Sequence, residues 1–505
     1  MIQHYVGKFF LQRQCVALGA RSRPVYEGDM AATAIQIERA QGADGYPTSS
    51  ATPPRSTLKT VLPAVVLFYA AMMPNELRLL LADQYLYAPR MLGFVLLPWV
   101  LWQLVRREVK LQIWDYLFVV ATFWMVYSFM IFYDPLEGLL RGGALGLDAV
   151  LPFLIARLSI RTPNDFRRFL VLVAPAIFLV GLSMFAEVAA GRALIRPAFA
   201  SVFGDLSAYL DGVEVGRGRD FVDYRFGLFR AAGPFSHPIL AGFVLGSFLP
   251  IYWFAGVRKW PTPMGLAASL FAILSFSSAA FLALILAIGL MMADFVQRMV
   301  SFLSWKLITC VAMMLAATLH FASENGLVSV LVRLTLNPNT GRFRTLIWEY
   351  GLISVEKHPW FGIGFTNYER LEWMVPSVDA HWLLLGIRHG WIPPVFMLAT
   401  CAAAIVVLAA SASRSSEIDR RLRVGMAISL FVCTLTGFTV SFFGGAATWV
   451  YMMLGMSLSV GLSPVFQPAF RRQVFPAWLP EAPLGQHQQG VRPRTRRNAR
   501  LGSQR

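Results

Sequence analysis

The sequence has 505 residues, of which 56% are hydrophobic and only 14% are charged. A soluble domain of this length would carry roughly a quarter charged residues, so the composition excludes an ordinary soluble enzyme. The formal net charge of +17 at pH 7 would suggest nucleic acid binding in a soluble protein. Here the basic residues follow the ends of apolar segments. This arrangement is typical of a polytopic membrane protein and argues against a nucleic acid partner.

The N-terminal stretch, residues 1–57, is polar and ends in a Ser/Thr/Pro-rich segment. It contains no apolar core long enough for a signal peptide. We therefore predict a disordered cytoplasmic tail for residues 1–57. The sequence leaves open whether Met1 or Met30 is the true start.

The central part, residues 58–465, contains about twelve apolar segments, and a membrane-spanning helix requires about 20 mostly apolar residues. The segments lie near 58–75, 90–105, 113–133, 142–158, 168–189, 237–256, 263–276, 278–296, 302–321, 390–411, 424–441 and 445–463. Two are weaker, because 142–158 carries Asp148 and 263–276 is short. The predicted fold class is an all-α polytopic membrane protein with about 12 transmembrane helices.

The charges of the short loops predict the orientation in the membrane. Alternating sides from a cytoplasmic N-terminus places the basic loops inside, as the positive-inside rule requires. Loops such as 134–140 and 442–444, on the opposite side, are nearly free of Lys and Arg. We therefore expect both termini in the cytoplasm of a bacterial cell, with the protein in the inner membrane. The basic C-terminal tail, residues 466–505, should lie on anionic lipid or be disordered.

Two connections on the predicted periplasmic side are long, residues 190–236 and 322–389, and long loops in compact proteins are often functional. They carry many arginines but a single lysine, Lys357, and arginine is the better residue for bidentate contacts with phosphate or carboxylate. The arginines are Arg192, Arg196, Arg217, Arg219, Arg225, Arg230, Arg333, Arg342, Arg344, Arg370 and Arg388.

Arg230 and Arg342 differ in position from the other arginines of these loops. By contrast, Arg217, Arg219 and Arg225 lie in the acidic first loop, where we expect them to pair with neighbouring carboxylates. Arg230 lies just before a predicted helix entry, and Arg342 lies in the first turn of another predicted helix. Free backbone N–H groups and the helix dipole attract anions at such a place. Both arginines would suit a lipid-linked pyrophosphate.

The second long loop should contain two helices. Apolar spacing predicts one over residues 341–357, with Thr340 as its N-cap. A shorter helix should follow from Ala380 to about His389, with Asp379 as N-cap and Gly390 as the stop signal. Ten residues give only about 15 Å of helix, which is too short to cross a membrane.

His381 falls in the first turn of the short helix, where the helix N-terminus disfavours imidazolium. A neutral imidazole is the state that a general base needs. Arg388 follows seven residues later and so lies on the same helix face. A lone histidine in a membrane protein is more often a packing residue, so its position alone does not assign a function.

Several elements, in order, resemble the O-antigen ligase and polymerase superfamily over about residues 225–465. They are Arg-x-x-Gly-x-Phe-x-His-Pro at Arg230–Pro238, the serine-rich helix break Leu274–Ser278, Gly341-Arg342 followed by Trp348, His358–Gly364, and Ala380-His381 before Gly390. Each element alone is weak, but the ordered set is specific.

This resemblance implies a metal-independent, inverting glycosyltransferase with no cofactor. Such enzymes move a glycan from undecaprenyl pyrophosphate to an acceptor hydroxyl on the periplasmic face. The acceptor is a glycan or a lipid A core. Carried over by position, Arg230 and Arg342 would bind the pyrophosphate and His381 would activate the acceptor. We add Arg388 to the candidate pyrophosphate residues. Neither long loop contains an Asp-x-Asp or similar carboxylate cluster that would hold a divalent cation.

The chain departs from the family pattern at two places. Trp382 follows His381 where the family usually has Asn, which would alter how the acceptor is held. Ser277-Ser278 stand where the family usually has an arginine after the serine, which removes a positive charge.

Two other functions remain open from the sequence. A lipid-linked oligosaccharide flippase would place ionisable residues at the bilayer midplane and show repeated halves, and neither feature is evident. A non-catalytic partner in polysaccharide assembly would fit the two departures. The sequence does not indicate the sugar, the acceptor, the oligomeric state, or whether the chain is a ligase in lipopolysaccharide biosynthesis or a polymerase in exopolysaccharide biosynthesis.

Overall fold

The computed structural model describes residues 58–81, 84–205, 209–210, 213–214, 224–300, 304–322 and 338–464. The predicted tails, residues 1–57 and 466–505, and the choice between Met1 and Met30 lie outside these residues. The helices are α1 Leu58–Ala71, α2 Ala88–Arg106, α3 Ile113–Phe132, α4 Pro135–Ser159, α5 Pro163–Ala190, α6 Ile195–Phe203, α7 Pro238–Phe254, α8 Pro261–Leu270, α9 Ser278–Met299, α10 Trp305–Ala322, α11 Pro338–Lys357, α12 His381–His389, α13 Ile392–Ala412, α14 Glu417–Thr436 and α15 Gly444–Leu462.

Three short antiparallel hairpins, which the sequence did not predict, lie between helices. They are β1 Arg78–Leu81 with β2 Gln84–Tyr87, β3 Tyr209–Leu210 with β4 Val213–Glu214, and β5 Tyr224–Arg225 with β6 Leu228–Phe229. A short 3-10 helix, Phe271–Ser275, follows α8.

Seven of the described helices are long and apolar enough to cross a membrane, judged by length and composition. They are α2, α3, α4, α5, α9, α13 and α15. Shorter apolar helices include α1, α7 and the segment Pro261–Ser275. The protein is therefore a helical, multi-pass membrane protein, which confirms the predicted class. The count of 12 spans and their sidedness stay predictions.

α15 is the central helix of the bundle, since 89% of its most apolar window is buried. Its fully buried Trp449 stacks on Phe248 of α7, with ring centroids 4.3 Å apart, and meets the ring of Phe68 of α1 edge-on at 5.4 Å. The indole N–H of Trp449 donates to Ser247 Oγ at 2.9 Å. A buried indole usually needs such a partner, so this contact fixes the ring while its faces fill the core.

α3 and α4 pack unusually closely because small residues face α3 at every fourth position. A Cβ on Gly138 would lie 2.4 Å from Phe129 O, and one on Gly142 would lie 2.9 Å from Phe129 Cβ. A buried ion pair joins the other ends of these helices, with Arg157 Nε 2.9 Å from Asp115 Oδ1. Arg157 is therefore an interior residue.

Candidate functional site

Both predicted helices of the second long loop are present, but the predicted caps are wrong. α11 begins at Pro338, so Thr340 lies inside the helix; proline is well suited to the first helical position. α12 begins at His381, and its N-cap is Ala380, which has no side-chain cap hydrogen bond. Asp379 lies one residue before this N-cap. The N-terminal turn of α12 is therefore held by contacts other than a side-chain cap.

These contacts come from the segment after α14. The backbone N–H of His381 donates to Val440 O and that of Trp382 donates to Gly437 O, both at 3.3 Å. The indole N–H of Trp382 donates to Thr434 O at 2.9 Å, and the side chain is only 3% exposed. Trp382, the departure from the family's asparagine, thus anchors the start of α12.

The far end of α12 is held by the turn that follows His358. The backbone N–H of Ile363 donates to Ile387 O at 2.8 Å. Gly390 has φ +81°, and a Cβ there would lie 2.3 Å from Trp360 O. A Cβ on Gly362, at φ +65°, would lie 2.3 Å from the backbone carbon of Arg388. The glycines of the His358–Gly364 motif and Gly390 therefore allow two backbones to meet, which sets the position of α12.

The face of α12 that results lines a cavity of about 120 Å³. His381, Arg388 and His389 of α12 contribute to its wall, as do Arg90 of α2, Asp148 of α4 and Asn75 after α1. Tyr87, before α2, and Thr448 and Tyr451 of α15 add hydroxyl groups to the lining. The cavity therefore combines two imidazoles and two guanidinium groups with hydroxyl, amide and carboxylate groups.

His381 is 4% exposed, and its Nε2 lies 3.1 Å from the hydroxyl oxygen of Tyr451. Its Nδ1 has no hydrogen-bond partner among the described residues. Burial, and then the charge of Arg388, lower the pKa of His381 to about 3. The imidazole is thus neutral at pH 7, as expected, but burial rather than the helix terminus is the main cause.

Arg388 shares the cavity with His381, as their spacing predicted. The side chain is buried, and its guanidinium carbon lies 4.8 Å from the centre of the Phe365 ring. Stacking on an aromatic face suits the planar guanidinium group. The structure therefore places a fixed cation beside the neutral imidazole.

Arg230 and Arg342 do not line this cavity. Arg230 is buried, and its Nε donates to Ser275 O at 3.2 Å, at the serine-rich helix break. Arg342 is exposed on the outer side of α11. Two residues later, Arg344 is partly buried, and burial is the main cause of its lowered pKa, with Asp379 acting in the opposite direction. On α11 it is therefore Arg344, not Arg342, that faces the interior.

Arg344 belongs to a second basic group, around His237. Burial, and then the charges of Arg230, Arg196 and Arg344, lower the pKa of His237 to about 3. His237 Nδ1 accepts the backbone N–H of Ile239 at 3.1 Å and caps α7, so this histidine has a structural role. Three arginines therefore surround the start of α7.

A hydrogen bond links this group to the cavity. Asn75, in the cavity wall, donates from Nδ2 to Ser236 Oγ at 2.8 Å. Arg196 donates to the backbone oxygen of Ser236 at 3.1 Å and pairs with Glu76 at 2.7 Å. The arginine group around His237 and the cavity thus share the segment Asn75–Glu76.

The serine-rich break explains the second departure from the family pattern. Ser277 is the N-cap of α9, and its Oγ accepts the backbone N–H of Ala280. Arg225, which we expected to pair with a carboxylate, instead donates to Phe276 O at 3.0 Å. Arg230 and Arg225 therefore supply positive charge at the break from the preceding loop.

Sequence reasoning missed several residues of the cavity. Arg90 and Asp148 form an ion pair across it, with Arg90 Nε 2.8 Å from Asp148 Oδ1. Asp148 had a signal, since it is a carboxylate within an apolar segment. His389 and Tyr451 had none, because histidine at a helix end and tyrosine in a span are ordinary. Within the described residues, no group of three or more His, Cys, Asp or Glu side chains could hold a metal ion.

Fold and site together define a multi-pass membrane protein with a buried, arginine-rich cavity around a neutral histidine. Residues 263–392 match the family model described as O-antigen ligase, which confirms the resemblance over this part of the chain. The match runs from α8 to the first residue of α13 and contains Arg342, His381 and Arg388, but not Arg230. None of the curated proteins matches the chain.

Proposed function

We propose that this protein is a membrane glycosyltransferase that moves a glycan from undecaprenyl pyrophosphate to an acceptor hydroxyl. It would act on the periplasmic face of the bacterial inner membrane, as an O-antigen ligase or as an O-antigen or exopolysaccharide polymerase. One observation carries the proposal. Within the family-matched region, the neutral His381 presents an unpartnered Nδ1 and shares a cavity with the buried Arg388.

In the proposed reaction, the acceptor oxygen attacks the anomeric carbon of the donor sugar as the bond from that carbon to the pyrophosphate oxygen breaks. The leaving pyrophosphate takes the electron pair, and His381 Nδ1 takes the hydroxyl proton. This assignment needs the tautomer in which Nε2–H donates to the Tyr451 hydroxyl. Attack opposite to the leaving group inverts the anomeric centre.

A base with a pKa of about 3 would accept a proton poorly, because proton transfer is most efficient when the pKa lies near the working pH. The bound pyrophosphate would correct this. Its negative charge offsets the field of Arg388, so the pKa of His381 rises when the donor binds. The histidine would then become an effective base only in the presence of the donor.

The leaving-group charge would be offset by arginines and not by a metal ion, since neither long loop offers a carboxylate cluster. Arg388 lies in the cavity, and Arg230 lies in the adjoining group with Arg196 and Arg344. Arg342, on the exposed side of α11, would meet the pyrophosphate only at the rim. We therefore rank Arg388 and Arg230 above Arg342 as pyrophosphate ligands.

The test uses purified protein in nanodiscs with lipid-linked donor, glycan or lipid-core acceptor, and EDTA. General-base assistance is worth about 10²–10⁴-fold, so His381→Ala should lower kcat by about that factor while donor binding persists. His358→Ala is the matched control, since His358 is an exposed histidine of the same loop. Wild-type turnover in His381→Ala would reduce His381 to a packing residue. Loss of all wild-type turnover in EDTA would exclude the metal-independent reaction.

A further inference from the structure

A second histidine lines the same cavity. His389 is the last residue of α12, and none of its surface is exposed. Its ring packs on Phe129 of α3, with centroids 4.7 Å apart, and its Nδ1 lies 2.9 Å from Ser128 Oγ. Its Nε2 has no hydrogen-bond partner in the part of the chain that the structure describes. The ring is therefore held on one edge and unpartnered on the other.

Ser128 fixes which nitrogen of His389 carries the proton. A serine hydroxyl has one proton, and that of Ser128 is donated to Met125 O at 2.9 Å. With its own proton on Met125 O, Ser128 Oγ accepts from His389, and we therefore assign the ring proton to Nδ1, the tautomer that forms both hydrogen bonds. Burial, and then Arg388, hold the pKa of His389 well below its ordinary value, so Nε2 keeps its lone pair.

His381 and His389 therefore differ in whether their tautomer can change. His381 Nε2 faces the hydroxyl of Tyr451, which can donate or accept, so its tautomer can change during a reaction. His389 Nε2 is a fixed hydrogen-bond acceptor. A buried acceptor without a protein partner is destabilising unless a ligand group or an ordered water donates to it.

The ligand group must be a donor. Pyrophosphate oxygens at neutral pH only accept hydrogen bonds, so they would be repelled by the lone pair of Nε2. A sugar hydroxyl donates. We propose that His389 Nε2 accepts a hydrogen bond from a hydroxyl of the bound glycan, and that Ser128 is the positioning residue that keeps this nitrogen unprotonated. The inference rests on the proposed function, because it assumes that a glycan enters the cavity. Either the acceptor glycan or the donor sugar can supply the hydroxyl.

Two variants of His389 test the roles of Nδ1 and Nε2 separately. His389→Asn retains an amide N–H near the position of Nδ1, so the contact with Ser128 persists while the cavity acceptor is lost. His389→Gln retains an amide oxygen near the position of Nε2. We expect His389→Asn to raise the KM of one glycan roughly 3- to 10-fold, the worth of one hydrogen bond, with kcat little changed. His389→Gln should raise it less.

The probes are the lipid-linked donor, the same oligosaccharide released from its lipid as acceptor, and a core oligosaccharide as alternative acceptor. A raised acceptor KM places the hydroxyl on the acceptor, and a raised donor KM places it on the donor sugar. Sugar-free undecaprenyl pyrophosphate should inhibit both variants as it inhibits the wild type. The proposal is overturned if every KM in His389→Asn stays within about twofold of the wild type, or if inhibition by the sugar-free lipid weakens equally. An equal loss of kcat in both variants with unchanged KM would also overturn it, because His389 would then transfer protons.

Ser128→Ala keeps the proposal testable if His389→Asn does not fold. This variant leaves the His389 ring in place but removes the hydroxyl group that selects its tautomer. In protein labelled with ¹⁵N-histidine, the wild type should show an unprotonated His389 Nε2, and Ser128→Ala should show a mixture with a smaller rise in KM. A protonated Nε2 in the wild type contradicts the inference. Should the wild type transfer no glycan, the proposed function fails. Titration of the labelled protein with the released oligosaccharide then decides whether His389 Nε2 meets a hydroxyl.

Discussion

Among single residues, Arg388 is the cation beside His381 that we propose as a pyrophosphate ligand. Arg388 is buried, and its guanidinium group lies over the Phe365 ring, whereas Arg342 is exposed on α11. Lysine offers a point charge without a planar fork and would lose the stacking. We expect Arg388→Lys to lower kcat/KM for the donor roughly 10- to 100-fold, the range of a charge-assisted hydrogen bond, and Arg342→Lys to change it little.

The comparison is made with purified variants at equal folded concentration, with fluorescence-detected size exclusion as the check on folding. Full activity in Arg388→Lys and Arg388→Ala alike would remove Arg388 from the site. A larger loss in Arg342→Lys than in Arg388→Lys would favour Arg342 as the pyrophosphate ligand, as the family pattern implied.

The pH dependence of the reaction follows from the pKa of His381, which is about 3 in the free protein. kcat/KM reports groups of the free enzyme, so it should show no acid limb from His381 above about pH 5. kcat reports the donor complex, in which the pyrophosphate raises this pKa, so kcat should fall at a higher pH than kcat/KM. The residual rate of His381→Ala should lack this limb. Identical acid limbs in both profiles would contradict the proposed effect of the donor on His381.

At the scale of elements, the position of α12 depends on the backbone contact at Gly390. A Cβ on Gly390 would lie 2.3 Å from Trp360 O, and its φ of +81° disfavours any other residue. Gly390→Ala should therefore displace α12, lower the melting temperature in detergent and remove most transfer activity.

Gly386→Ala in the same helix is the control, because its nearest neighbour, Val355 Cγ2, is 3.4 Å away. Alanine favours helix over glycine by about 1 kcal/mol, so this variant should be as stable as the wild type or more so. Equal behaviour of the two variants would argue against this contact as the support of α12.

The positions of the helices could be predicted from the sequence, but the side of each helix that packs inward could not. Each predicted apolar segment coincides with a helix, because apolar length is a local property. Arg342 and Arg344 are two residues apart, about 200° around a helix, so which of them lies inside depends on the side of α11 that packs inward. His389 and Ser128 are 261 residues apart in the chain, so their contact follows from packing that no local pattern encodes.

For the molecule as a whole, the buried histidines predict that stability falls in mild acid. The pKa values of His237, His381 and His389 are all lowered, so the unfolded chain binds more protons than the folded one below its ordinary histidine pKa of about 6.5. Stability is fully present above that pH and is lost as pH falls through 6 to 5. The melting temperature in detergent should decline over this window. His389→Gln should flatten the decline, whereas His358→Ala, an exposed site, should not. A melting temperature independent of pH between 7 and 5 would contradict the neutral, buried state of these rings.

The topology is the widest prediction, and packing at one end of the molecule supports it. Residues assigned to the cytoplasm from loop charge meet there: Arg167 Nε donates to Ala255 O at 2.8 Å, and its Nη2 lies 2.7 Å from Asp419 Oδ1. Segments that follow α7 and begin α5 and α14 therefore share a side. Reporter fusions near Arg161, Arg258 and Arg420 should accordingly report cytoplasm, and fusions near Asp211 and Pro338 should report periplasm. A cytoplasmic signal at Pro338 would place α11, and the cavity beside it, on the wrong face for a periplasmic donor. The glycosyltransferase proposal would then fail whatever the residue variants show.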